Sequence, residues 1–390
     1  VEIAFHDKLG SNAAERRLWS SWGDICVARD GSVYSGIGDH GDDAGGDGRC
    51  MIYRWDPKKS KLTQVADMGK IVPPQAEQPA WTKVHARIDE GKDGSIYFSC
   101  TLNAGQRAGD PRYKWNDRLP GGQLYRYDPK TDKTKVFSNL PPKRCTATSL
   151  VDPERNLWWC NLEAGEGDAL YALDLESGKV VHQTKDGVVE FNRAIALGKD
   201  GSIYFNGKEG KFHRLDPKTG KTSFAGITIP GESPGIRSAT RMSTDGLFYG
   251  STHKTNQLFA ISPKLKKIEI LGPTWGTGSY TTVMILSPDE RFLYFLPGSH
   301  GKAWKYGTPV MQYDLKRKKR KVLAFLGPAL EEEIGYVPGG TYGVKLSKDG
   351  STLYVNFNGH PRDGLRPSNL RPIGFGLNSF AAIHIPESER

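Results

Sequence analysis

No apolar run in this 390-residue chain approaches the roughly 20 residues that a membrane-spanning helix requires. Cysteine is scarce: Cys26, Cys50, Cys100, Cys145 and Cys160 form no CxxC pair and are odd in number, which excludes a zinc knuckle and a complete disulfide framework and leaves them as small core residues. Several catalytic signatures are missing. Without a GxSxG elbow, a P-loop, a GxGxxG after a strand or an HExxH motif, α/β-type serine hydrolysis, nucleotide phosphate binding and zincin chemistry lack support. No segment carries a long, capped helical period. No signal peptide or lipid anchor is visible, but the chain begins at Val1, which leaves room for a leader already removed; a secreted or periplasmic location is the expectation.

What is abundant is turn-forming and aromatic: 46 Gly and 24 Pro accompany 9 Trp, 16 Tyr and 15 Phe, a composition of many short strands. Lys and Arg (54) outnumber Asp and Glu (44) for a net charge of +10, which favours an anionic ligand or surface. One pattern recurs seven times, a turn followed by an aromatic strand: DGSVYSG (30–36), DGSIYFS (93–99), ERNLWWC (154–160), DGSIYFN (200–206), DGLFYGS (245–251), ERFLYFL (290–296) and DGSTLYV (349–355). Each is followed by a second strand, which in most copies ends in a polar turn such as YRYDPKTDK (125–133) or HRLDPKTGK (213–221).

Period-2 alternation and Asp-Gly or Asp-Pro turns make these antiparallel strands. Seven radially repeated four-stranded units, A to D, predict an all-β, seven-bladed β-propeller spanning 1–390 as one domain. A β-sandwich also offers many short strands, but it does not repeat its loop chemistry. Blade seven reaches only strand C at FAAIHIP, so the N-terminal VEIAFHD is expected to supply its outer strand and remove an open edge.

In such a fold the D-to-A and B-to-C connections surround the mouth of a central funnel. Long B-to-C inserts in blades two (101–123) and seven (358–379), with 38–49 and 298–308 in blades one and six, predict a walled cleft for a chain-like ligand, sited between those four blades. Aligning the A strands places Trp22, His85, Thr146, Asn192, Arg237, Thr282 and Thr341 at the funnel end, followed by Arg193 and Tyr342 among their neighbours. His85, Arg144, Arg193, Arg237, Tyr280 and Tyr342 are expected to converge there. Arg87 follows His85 on the same strand face, Arg107 lies in the blade-two insert, and His253, His300 and Trp304 lie on the same side. Any of the Arg residues could instead stitch neighbouring blades, and the Tyr residues could simply pack.

Two opposed carboxylates, the usual glycosidase equipment, are absent from this ring, where Asp24 is the only acid. His, Tyr and several Arg suit β-elimination from a uronic acid: cations hold the carboxylate, and His85, Tyr280 or Tyr342 moves the protons. The repeat resembles the seven-bladed gluconolactonase and streptogramin-lyase type propellers. The funnel, through HARI (85–88) and its Arg and Tyr residues, resembles propeller polysaccharide lyases, including rhamnosyl-glucuronate lyases and hydrolases. That resemblance implies a carbohydrate-active lyase with His85 in the catalytic role; the residues' own placement around the funnel then assigns Tyr280 and Tyr342 as its partners and Arg87, Arg107, Arg144, Asn192, Arg193, Arg237, His253, His300 and Trp304 to substrate binding.

The reading needs no cofactor and takes an anionic oligo- or polysaccharide as partner, with no nucleic acid or membrane, in a monomer. Two alternatives stay open. A metal-dependent hydrolase or lactonase would place a divalent Ca, Mn or Zn on loop residues such as His40, His253, His300 and His360 with Asp39, Asp42 or Asp43. A non-catalytic propeller would bind carbohydrate or protein through Trp115, Trp275 and Trp304. The basic run 316–321 falls in a C-to-D turn on the opposite face and reads as a solvated hairpin.

Overall fold

The computed structural model describes residues 1–6, 21–38, 50–73, 81–102, 121–142, 144–163, 168–190, 193–231, 234–276, 281–299, 303–362 and 377–390. Seven four-stranded antiparallel sheets form the blades of a β-propeller. Their inner strands include Cys26–Val27, Asp89–Glu90, Cys145–Asp152, Ile195–Leu197, Ile236–Ala239, Met284–Leu286 and Tyr336–Leu346. The ring closes as the sequence predicts. Glu2–Phe5 is the outer strand of blade seven, pairing Glu2 with Ala382 and Phe5 with Ser379.

The repeated turn has a local cause. In the A-to-B turns Asp30, Asp93, Asp200 and Asp349 each accept the backbone N–H two residues on, at 2.9–3.1 Å, while the following Gly adopts a left-handed φ between 72° and 89°. The C-to-D turns are equally regular. Their fifth position is left-handed in six blades, occupied by Ser60, Asp132, Gly178, Gly220, Lys266 and Lys318.

Apolar faces of adjacent blades pack into seven buried clusters, one at each interface. Tyr34 and Ile52 of blade one meet Phe98 and Tyr125 of blade two, and Val33 and Trp55 meet Tyr354 and Phe380 of blade seven. All five cysteines are buried, with Cys50 and Cys100 in contact at 3.2 Å between sulfurs.

Two departures from the expected strands matter for the site. The inner strand of blade two, which alignment of the copies places around His85, is interrupted: Trp81–Lys83 pairs separately with Thr101–Leu102, and only Asp89–Glu90 joins the four-stranded sheet. A nine-residue helix, Leu326–Ile334, follows the outer strand of blade six and ends on left-handed Gly335, whose N–H reaches the Glu331 carbonyl at 3.2 Å. It has no side-chain cap at its start, so nothing in the sequence marks its beginning. No helix among the described residues is long and apolar enough to cross a membrane.

Candidate functional site

The inner strands surround a central cavity of about 150 Å³. Local irregularities aim side chains into it. In blade three the ladder slips between Thr146 and Thr148, leaving Ala147 bulged; in blade five it slips between Ile236 and Ser238, bulging Arg237; in blade seven the slip between Gly340 and Gly343 frees Tyr342. Ala147, Arg237 and Tyr342 all line the cavity. Gly23 permits the close approach of blade one to blade two, since a Cβ there would lie 2.4 Å from the Ala86 carbonyl oxygen.

The upper layer holds His85, Arg193, Arg237, Tyr342 and Trp22. His85 Nδ1 donates to the Ala147 carbonyl at 2.8 Å, which fixes the neutral tautomer with its lone pair on Nε2. Nε2 accepts from the Arg193 guanidinium at 2.9 Å. Burial, then the charges of Arg193 and Lys83, push the His85 pKa well below the ordinary histidine value, against the opposing pull of the Ala147 bond. The Arg237 guanidinium stands 5.9 Å from the centre of the Tyr342 ring, and burial lowers its pKa to about 10. Tyr342 in turn packs against Trp22 at 4.9 Å between ring centres, and Lys83 approaches the other ring at 5.1 Å. His253 adjoins this layer; burial, then Arg237, lowers its pKa to about 4.

Below lies a compensated layer. Asp24 accepts the N–H groups of Ile25 at 3.0 Å and Val344 at 3.2 Å, pairs closely with Lys345, and lies 3.6 Å from Arg87. Asp89 accepts the Val151 N–H at 3.1 Å, and burial raises its pKa. These contacts join blades one, two, three and seven. Among the described lining residues Asp24 is the sole acid, facing Arg87, Arg193, Arg237, Arg241 and Lys345. Since Asp24 is engaged by Lys345 and Arg87, the upper layer is the electropositive part of the cavity.

Of the expected site residues, the structure therefore brings together His85, Arg193, Arg237 and Tyr342, with His253 beside them. These residues come from blades two, four, five and seven, with Trp22 from blade one; most of the inserts of blades one, two and seven expected to wall the cleft, and 300–302 of blade six, lie outside the described residues. Arg87 sits one layer deeper with Asp24. Arg144 pairs with Asp186 at 2.5 Å on the connection into blade four, the blade-stitching role open to it from sequence. Trp304 lies on the rim, 38 % exposed, 6.4 Å from the His360 ring. Tyr280, Asn192, Arg107, His300, His40, Asp39, Asp42, Asp43 and Trp115 lie outside the described residues. Among the described residues no group of three or more His, Cys, Asp or Glu could hold a metal.

Sequence reasoning left out Lys83, Lys345 and the Ala147 carbonyl. Alternation could have placed Lys345 inward; a bulged carbonyl leaves no trace in the sequence.

No family model matches this sequence, and no curated protein does. Solved structures do resemble it in shape. A catalytically inactive histidine-to-alanine variant of virginiamycin B lyase from Staphylococcus aureus, with quinupristin, superposes with a TM-score of 0.57 at 13 % identity, over 98 % of this chain and 100 % of that one. A chain of the mitotic checkpoint complex superposes with a TM-score of 0.60 at 9 % identity, over 98 % and 90 %. At such identities the likeness is one of fold: a seven-bladed β-propeller.

Proposed function

We propose that the funnel cleaves a uronic-acid-containing glycan by β-elimination, making the protein a polysaccharide lyase. The observation that carries this reading is His85: a neutral imidazole, oriented by a backbone carbonyl, whose Nε2 lone pair faces a cavity layer rich in guanidinium groups. Arg237 and Arg193 hold the substrate carboxylate. That anion competes for Arg193, releases Nε2 and offsets the cationic field that depresses the His85 pKa. His85 then takes the C5 proton, and negative charge grows on the carboxylate oxygens against the arginines. The C5–H electron pair forms the C4–C5 double bond as the C4–O bond breaks, and Tyr342 protonates the leaving oxygen.

The shape likeness to a lyase whose histidine variant is inactive agrees with a histidine-centred elimination but does not name a substrate. The likeness to a checkpoint-complex chain keeps a second reading in view, a propeller that only binds. Incubation with polyuronates of different sugars and linkages, followed by the ultraviolet absorbance of the unsaturated product, separates the two. Product that forms with wild type and disappears with His85→Ala supports the lyase. Ligand retention without product, unchanged in His85→Ala, supports the binding propeller.

A further inference from the structure

The C-to-D turns of blades five and six form a basic patch on the rim away from the funnel mouth. Lys264, Lys266 and Lys267 on one turn and the run 316–321 on the next make nine cations, all exposed, against Glu269, Asp314 and Glu389 nearby. The acids are already taken: Lys318 reaches Glu269 at 2.5 Å, Arg317 stands 4.0 Å from Asp314, and Lys321 pairs closely with Glu389. Arg320 bonds the Pro273 carbonyl and covers Trp275 at 5.9 Å. Lys264, Lys266, Lys267, Lys316 and Lys319 are left projecting, with no ion pair among the described residues.

The fifth position of these turns requires a left-handed φ, and blades one to four place Ser, Asp, Gly and Gly there. Blades five and six instead place Lys266 at 52° and Lys318 at 53°, where a long side chain is disfavoured. The Lys266 stem lies along Gly226 of blade four and Lys318 reaches Glu269 of blade five, so the two turns hold their lysines at the tips of the patch, where their charge adds to it.

We propose that this patch is a second binding site, for an extended anionic polysaccharide, distinct from the funnel. A row of flexible ammonium groups suits a repeating anion read by charge rather than by shape. The choice of polysaccharide over other polyanions rests on the lyase reading of the funnel. It is supported by the absence of an open aromatic in these two turns for base stacking, Trp275 being covered by Arg320, and by a single strongly exposed apolar side chain, Leu265 at 72 %.

The test measures retention of the full chain on immobilised polygalacturonate and dextran sulfate, beside oligodeoxythymidylate and phosphatidylserine vesicles, as salt is raised. The triple variant Lys264→Glu, Lys266→Glu, Lys319→Glu should weaken polysaccharide binding by about tenfold or more and flatten its salt dependence, with Lys→Arg at the same positions retaining it. Lys266→Asn should weaken polysaccharide binding; retention equal to wild type would overturn the part assigned to the turn tips. Unchanged retention in the triple variant, or tighter binding to the oligonucleotide or vesicles than to either polysaccharide, overturns the proposal. Retention that survives in His85→Ala while wild type cleaves no polyuronate leaves this site standing and sinks the funnel reading alone.

Discussion

His85 and Ala147 are joined across two blades by a hydrogen bond of 2.8 Å from the imidazole Nδ1 to a carbonyl that a bulge has freed from its sheet. The bond decides which ring nitrogen can act as a base. His85→Ala should lower turnover on the best polyuronate by roughly 10²–10⁴-fold, with the near-ultraviolet circular dichroism unchanged. Full activity in this variant would place the proton transfer elsewhere.

Arg237 is buried beside Tyr342, so its planar fork cannot be replaced by an ammonium group in the same position. Arg237→Lys should reduce kcat by about 10²-fold and change KM less, because the carboxylate charge it meets grows in the transition state. Steady-state kinetics checks this; a change confined to KM would make Arg237 a ground-state binder only.

Tyr342→Phe isolates the hydroxyl from the ring that packs on Trp22. If the hydroxyl protonates the leaving oxygen, turnover falls while substrates with a better leaving group are spared. A uniform loss across leaving groups would instead assign Tyr342 to packing.

Two histidines make stability depend on acid. Burial lowers the pKa of His6 to about 4, against its bond to the Asn378 carbonyl at 3.1 Å, and burial with Arg237 lowers that of His253 to about 4. Above the unfolded histidine pKa both states are neutral and nothing changes. Between that value and about 4 the unfolded chain takes up a proton that the folded one refuses, so stability falls as pH falls. For the fully enclosed His6 the loss is on the order of 3 kcal/mol, at about 1.4 kcal/mol per unit. His6→Gln should flatten urea-unfolding stability across that window; an unaltered slope would show that His6 contributes nothing to it.

Deleting residues 1–5 removes the outer strand of blade seven and exposes the Ser379–His384 edge. The expected outcome is a lower melting temperature and concentration-dependent aggregation, read by scanning calorimetry and light scattering. A truncated chain that melts like the intact one would mean the ring does not depend on this closure.

The blades were legible in the sequence because their cause is local. An Asp that caps its own turn, a Gly that supplies a left-handed φ and an alternating strand recur in DGSIYF wherever the fold needs them, and seven copies leave one ring to build. Closure by VEIAF was legible for a related reason: the last blade lacked a strand and the N-terminus supplied one. The inward placement of His85, Arg193, Arg237 and Tyr342 also followed from alignment of the copies. Their chemistry did not. The tautomer of His85 depends on a carbonyl 62 residues away, and Arg237 and Tyr342 are aimed by bulges that alternation cannot foresee. Arg144 and Arg193 look alike in sequence, yet one pairs with Asp186 and the other reaches His85. Turn chemistry is written within a few residues, whereas the partner of a charge is chosen by which blades become neighbours, and that only the closed ring determines.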